Sequence, residues 1–93
     1  MQEIRDRLIV YTLVLDSRAQ SDLRRLPPTI VRGIRSKMNW LCENCDAHRH
    51  KALKGKHKGK FTLKMNDYRV LYSFDKRVRE ITVHQVGHRS RVY

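Results

Sequence analysis

At 93 residues the chain suffices for one domain with a thin core, because a chain this short buries only about two-thirds of the surface it exposes unfolded. Its 21 lysines and arginines outweigh 9 acidic residues, for a formal charge of +12; this points to a polyanionic partner (nucleic acid, an acidic protein or an anionic membrane) and says nothing of fold. No segment approaches the ~20 apolar residues of a membrane span, the apolar run from Leu8 to Leu15 lacks a cleavage site, and two cysteines make no secreted disulfide scaffold, so a cytoplasmic protein is expected.

Met1 to Arg7 is polar and is expected to fray. Leu8 to Leu15, rich in β-branched and aromatic residues, predicts a strand. Asp16 or Ser17 can cap a helix, and Ser17-Arg18-Ala19-Gln20 fits a capping box. Ala19, Leu23 and Leu26 then share one face, and Pro27-Pro28 stops the helix. A second helix is expected from Thr29 to Asn44, because Ile30, Ile34, Met38, Leu41 and Cys45 recur every three or four residues. The two helices form a hairpin.

Lys51 to Lys60 carries five lysines (Lys51, Lys54, Lys56, Lys58 and Lys60) and two glycines, which suggests an exposed loop. Phe61 to Met65 and Tyr68 to Phe74 alternate with period two, and Asn66-Asp67 between them suits a two-residue hairpin turn. A last strand is expected from Arg79 to Val86 after a turn at Asp75-Lys76, with Gly87 bulging or ending it. The order β-α-α-β-β-β, with Phe61, Leu63, Met65, Val70, Tyr72, Phe74, Ile81 and Val83 on one side, predicts a single domain over residues 1–93. It is a two-layer α+β fold with the helix hairpin on a mainly antiparallel sheet.

The Asn66-Asp67 turn sets Lys64 opposite Arg69 on the face away from the helices. Like charges so placed destabilise a sheet, so either the two side chains splay into solvent or a phosphate sits between them. The lysine run leads into this face. It is either a solvated charge run or a contact for an RNA or DNA backbone. His88, Arg89 and Tyr93 can reach the same face, where a tyrosine can stack on an unpaired base. Cys42, Cys45, His48 and His50 have the residue types of a zinc site. Their compressed spacing, and the place of Cys45 on an apolar helix stripe, favour buried thiols and no metal.

Asp22-Leu23-Arg24-Arg25-Leu26-Pro27, Leu53-Lys54-Gly55, Asp67-Tyr68-Arg69-Val70-Leu71-Tyr72 and Val86-Gly87-His88-Arg89 to Val92-Tyr93 resemble, in order, the RelE-type toxins of the RelE/ParE superfamily. The resemblance covers nearly the whole chain from Leu8. It implies a toxin of a type II toxin-antitoxin system that enters the ribosomal A site and cuts mRNA by attack of a ribose 2′-OH on the adjacent phosphate, without metal or other cofactor. It also implies a hetero-oligomer with an acidic, RelB-like antitoxin. By the same resemblance Lys64 is the general base, Arg69 stabilises the transition state, Arg89 stabilises it or protonates the leaving group, and Tyr93 packs on the scissile nucleotide. His88 is an independent candidate for the acid, since imidazole titrates near neutrality. Two features depart from the pattern: Thr62 stands where relatives carry another cation, and the chain ends at Tyr93 where many continue. Two other activities remain open: a ParE-like inhibitor of DNA gyrase with no nuclease activity, and a plain RNA-binding module.

Overall fold

The structure, a computed structural model, describes residues 10–92. The expected fraying of Met1 to Arg7, the start of the first strand at Leu8 and Ile9, and Tyr93 lie outside the described residues. Strand β1 spans Thr12–Leu15 and leads into helix α1, Ser17–Arg24. The cap is Asp16, whose Oδ1 accepts from the Ala19 N–H at 2.9 Å. Gln20 turns back to donate to the Leu15 carbonyl at 2.9 Å, so the capping box expected at Ser17 does not form. Asp16 wins because its extended backbone (φ −73°, ψ 173°) aims the carboxylate at the first free amides of the helix.

Helix α2, Pro28–Asn44, begins one residue earlier than the periodicity predicts. Proline suits a first helical position, where its missing N–H costs nothing. Ile34, Met38 and Leu41 are fully buried, and Cys42 and Cys45 nearly so. Gly33 lets the helix approach the sheet: a Cβ there would lie 3.1 Å from the Met65 methyl carbon.

The Lys51–Lys60 segment is not wholly loop. Lys51–Ala52 forms a short strand β2 paired with Thr62 and Phe61, and Gly55–His57 makes one 3₁₀ turn. Gly55 (φ 67°) and Gly59 (φ 88°) take the left-handed conformations that close it, and the Leu53 N–H donates to the Lys60 carbonyl at 3.0 Å. Strands β3 (Phe61–Met65), β4 (Tyr68–Asp75) and β5 (Glu80–His88) follow. The sheet order is β1-β5-β4-β3-β2, antiparallel except for the β1–β5 pair, which is parallel.

Both helices pack on one face, giving the two-layer α+β architecture that the pattern predicts. Leu63, Val70, Tyr72, Ile81, Val83 and Val86 join the helix residues in one core, with Phe61, Met65 and Phe74 at its border. Tyr11, Cys42 and Val86 belong to this core too, beyond the expected set. Leu71 and Val92 are buried apart from it. The last strand runs through Gly87 to His88, and its irregularity falls elsewhere. Leu71 pairs with Gln85 and Tyr72 with Val83, so His84 is the unpaired residue of a bulge.

Candidate functional site

The β3–β4 hairpin carries the site. Met65 pairs with Tyr68 and Lys64 with Arg69, the register that a two-residue turn dictates. Asn66 supplies the positive φ, 54°, that the turn needs. Because side chains alternate, Leu63 and Met65 face the helices while Lys64 is exposed on the other side. Arg69 lies beside it, and next in the row comes Gly87 on β5. A side chain at Gly87 would meet nothing within 4 Å, so open space adjoins Arg69.

The turn fixes two arginines. Arg69 Nη1 donates to the carbonyls of Asn66 and Tyr68, each at 3.0 Å. The Arg89 N–H donates to the Asp67 carbonyl at 2.8 Å, and its guanidinium Nε stands 3.9 Å from Asp67 Oδ1. That ion pair is solvent-exposed on both sides and contributes little to stability, so the backbone bond does the anchoring. Lys64, Arg69 and Arg89 thus gather round four residues of hairpin. Lys51 joins the same face one row away, since it pairs with Thr62, which pairs with Leu71. Lys54, Lys56 and Lys58 are exposed and Lys60 half-buried along the segment leading in.

His88 departs from the expectation. It pairs with Tyr68, which faces the helix side with Met65, and the two rings meet edge to face at 5.6 Å. Strand alternation therefore sets His88 on the face opposite Lys64 and Arg69. Its Nδ1 accepts from the Ser90 N–H at 3.2 Å and lies 2.9 Å from the Ser90 hydroxyl, which leaves Nε2 to carry the proton of a neutral ring. His88 lines a groove of about 600 Å³ between α1 and β5, with Arg18, Asp22, Arg25, Tyr68 and Arg91. Asp22 helps build this groove by accepting from the Val86 N–H at 3.0 Å. Sequence periodicity misses the groove because its walls lie some 60 residues apart in the chain.

The cysteine-histidine cluster is a structural network. His50 Nε2 donates to the Cys45 carbonyl at 2.8 Å, and its Nδ1 lies 2.5 Å from the Tyr72 hydroxyl. Both ring nitrogens are thereby engaged, and burial pushes the Cys42 and Cys45 thiols up, away from the thiolate a metal would need. Among the described residues no three His, Cys, Asp or Glu side chains are placed to hold a metal ion. Nearby, the Tyr11 hydroxyl donates to Asp46 Oδ1 at 2.7 Å and Arg79 Nη1 donates to Oδ2 at 3.0 Å. These two bonds hold the Asp46 carboxyl below the usual carboxylate range. Burial and the Asp46 bond raise the Tyr11 hydroxyl far above the ordinary tyrosine value.

The helix hairpin on one face of a five-stranded sheet is a fold shared with solved RelE-like toxins. The toxin-antitoxin complex RelBE2 from Mycobacterium tuberculosis is similar at 27% identity, over 91% of this chain and 98% of that one, with a TM-score of 0.79. The isolated RelE toxin of E. coli shares the fold at 22% identity, over 84% and 83% of the two chains, with a TM-score of 0.70. The YoeB/ParE toxin from Agrobacterium tumefaciens shares it at 18% identity, over 83% and 96%, with a TM-score of 0.68. No curated protein matches the sequence significantly. Residues 13–93 match the family described as the ParE toxin of the type II toxin-antitoxin system, parDE. The chain belongs to that family and is a toxin of a type II toxin-antitoxin system.

Proposed function

We propose that this toxin is a ribosome-dependent mRNA endoribonuclease, cutting by attack of a ribose 2′-OH on the adjacent phosphate. What carries the reading is the gathering of Lys64, Arg69 and Arg89 around the Asn66–Asp67 turn. Phosphoryl transfer of this kind needs positioning, a base, an acid and a fixed positive charge where the phosphorane forms. Arg69 suits the last role. Guanidinium has five N–H donors, and the two bonds to the turn use Nη1, so Nε and Nη2 remain to grip two phosphate oxygens. Held by the turn, it needs little reorganisation as charge develops. Lys64, its neighbour, is the base in this reading. Arg89 is the second charge or the proton donor to the leaving 5′-oxygen, and Tyr93 the stacking residue. His88 serves as acid only where the substrate strand passes round the end of the sheet. Lys51, Lys54, Lys56, Lys58 and Lys60 hold the RNA or ribosome backbone. No metal or other cofactor enters.

The partners in this reading are the ribosomal A site, mRNA and an acidic antitoxin, in a hetero-oligomer. The complexes RelBE2 of M. tuberculosis and RelBE of E. coli support the last of these, and so does a +12 charge that an acidic segment would complement. The family match to ParE keeps a second reading in view, a gyrase inhibitor that cuts nothing. Primer extension on a reporter mRNA after induction separates the two. Codon-phased cuts within the reading frame are expected; intact message with blocked supercoiling would overturn the nuclease. The base is tested by Lys64→Arg and Lys64→Ala in single-turnover cleavage on programmed ribosomes. Arginine keeps the charge and cannot usefully deprotonate, so it should be nearly as inactive as alanine; retained activity would reduce Lys64 to a charge.

A further inference from the structure

On the open face, two residues along β4 from buried Leu71, three side chains from three elements form a chain of hydrogen bonds. Asp16 Oδ2 lies 3.3 Å from His84 Nδ1, and His84 Nε2 lies 2.8 Å from Ser73 Oγ. Ser73 stands between Tyr72 and Phe74, which face the core, so its hydroxyl points away from the helices beside Thr82 and Val14. His84 is the unpaired residue of the β4–β5 bulge, and bulges re-aim a side chain that an unbroken ladder would have placed elsewhere. Asp16 is held independently, because its other oxygen caps α1. The side chains of His84 and Asp16 are 25% and 38% exposed, enough for a small reactant to arrive.

We infer that Ser73 is an activated nucleophile and a covalent acylation site, with His84 as its base and Asp16 as the group that orients the imidazole. The connectivity is that of a nucleophile, a base within hydrogen-bond reach and a third group fixing the base. With Nδ1–H directed at Asp16, the Nε2 lone pair faces the Ser73 hydroxyl. In the step, Ser73 Oγ adds to the carbonyl carbon of an activated acyl donor, a thioester or aryl ester, as its proton passes to His84 Nε2. The tetrahedral adduct collapses, the bond to the leaving sulfur or oxygen breaks, and His84 returns the proton to the leaving group. Acyl donor and Ser73 hydroxyl become a Ser73 ester and a free thiol or phenol, with no change of oxidation state. The groove described above lies elsewhere and does not line Ser73. The site is accordingly suited to accepting an acyl group from an already activated donor rather than to turning over a large substrate. This inference does not depend on RNA cleavage.

The test is acetylation of the full-length toxin by p-nitrophenyl acetate, with each modified residue located by peptide mass spectrometry. Exposed Ser36 serves as the internal reference in the same sample. Ser73 is expected to acetylate about a hundredfold faster than Ser36, the scale of general-base assistance. His84→Gln should bring it down to the rate of Ser36. Asp16→Asn, which keeps a good capping residue for α1, should slow it about tenfold or more without unfolding the helix. Ser73→Ala should remove the ester and leave toxicity unchanged. Equal rates at Ser73 and Ser36 in the unmodified chain would overturn the inference without recourse to any variant. So would a Ser73 rate that is indifferent to Asp16→Asn.

Discussion

The two faces of one sheet do opposite work with alternate residues of the same strands. On the helix side Leu63, Val70, Tyr72, Ile81 and Val83 are almost wholly excluded from water and tie β3, β4 and β5 to α1 and α2. On the open side Lys51, Lys64 and Arg69 stand within two rows of one another. Like charges in such a row cost the sheet some stability. The buried face can bear that cost, and in the proposed reading the open face carries the chemistry. Substitutions of the buried helix-side residues should therefore unfold the protein, and those of Lys64 and Arg69 should silence it without unfolding it.

The largest effect is expected at Tyr72, which is fully buried and joined to His50. Tyr72→Ala should lower the unfolding free energy by about 3–5 kcal/mol through the cavity and the orphaned imidazole, measured by urea denaturation. If the open face depends on the core only through foldedness, the fraction still folded should retain its activity per molecule. Next comes Arg69→Ala. It should slow single-turnover cleavage about 10²–10³-fold, the loss typical of one fixed donor to a developing anion. It should move the thermal midpoint little, since the Asn66 carbonyl it leaves is exposed and the Tyr68 carbonyl is only partly buried. A large loss of stability with little loss of rate would break the division between the faces. Neutralising Lys54, Lys56 and Lys58 should weaken ribosome binding more modestly and flatten its dependence on log salt by roughly one unit for each phosphate no longer neutralised. An unchanged slope would remove this segment from the interface.

The smallest effect lies away from both faces, at Asp46. Tyr11 and Arg79 hold its carboxyl below the ordinary range. A carboxylate depressed on folding contributes stability above its unfolded pKa, about 3.9, and loses that contribution as pH falls through the lower folded value. Asp46→Asn should therefore be less stable than the unmodified protein near neutrality and should converge with it in acid below pH about 4. Parallel unfolding curves across that range would show that the Tyr11–Asp46–Arg79 cluster does not bear on stability.

Much of this plan is legible in the residues. Asn66-Asp67 between two alternating runs fixes the hairpin, and with it the Lys64–Arg69 pairing. The helix stripe from Ile34 to Cys45 is equally plain. Strand β2 is not, because two residues, Lys51 and Ala52, are too few to show a period. The cap at Asp16 loses its sequence signal to the neighbouring Ser17, whose spacing to Gln20 mimics a capping box. The bulge does leave a trace in the pattern of apolar residues. Ile81 and Val83 keep period two, but the next buried residue is Val86, so one residue too many stands between them. That extra residue also sets His88 on a different face from the one that unbroken alternation from Val83 would assign.

The pairing of β1 with β5 ties Thr12 to Glu80 and Leu15 to Val83, nearly the full span of the described chain. Such a pairing carries high sequence separation, and pairings of this kind are slow to form because a long loop must close first. The sheet is complete, and Gly87 and Arg89 stand beside Arg69 and Asp67, only once residues 80–89 have been made. The basic face is therefore whole only when the last strand has docked between β1 and β4.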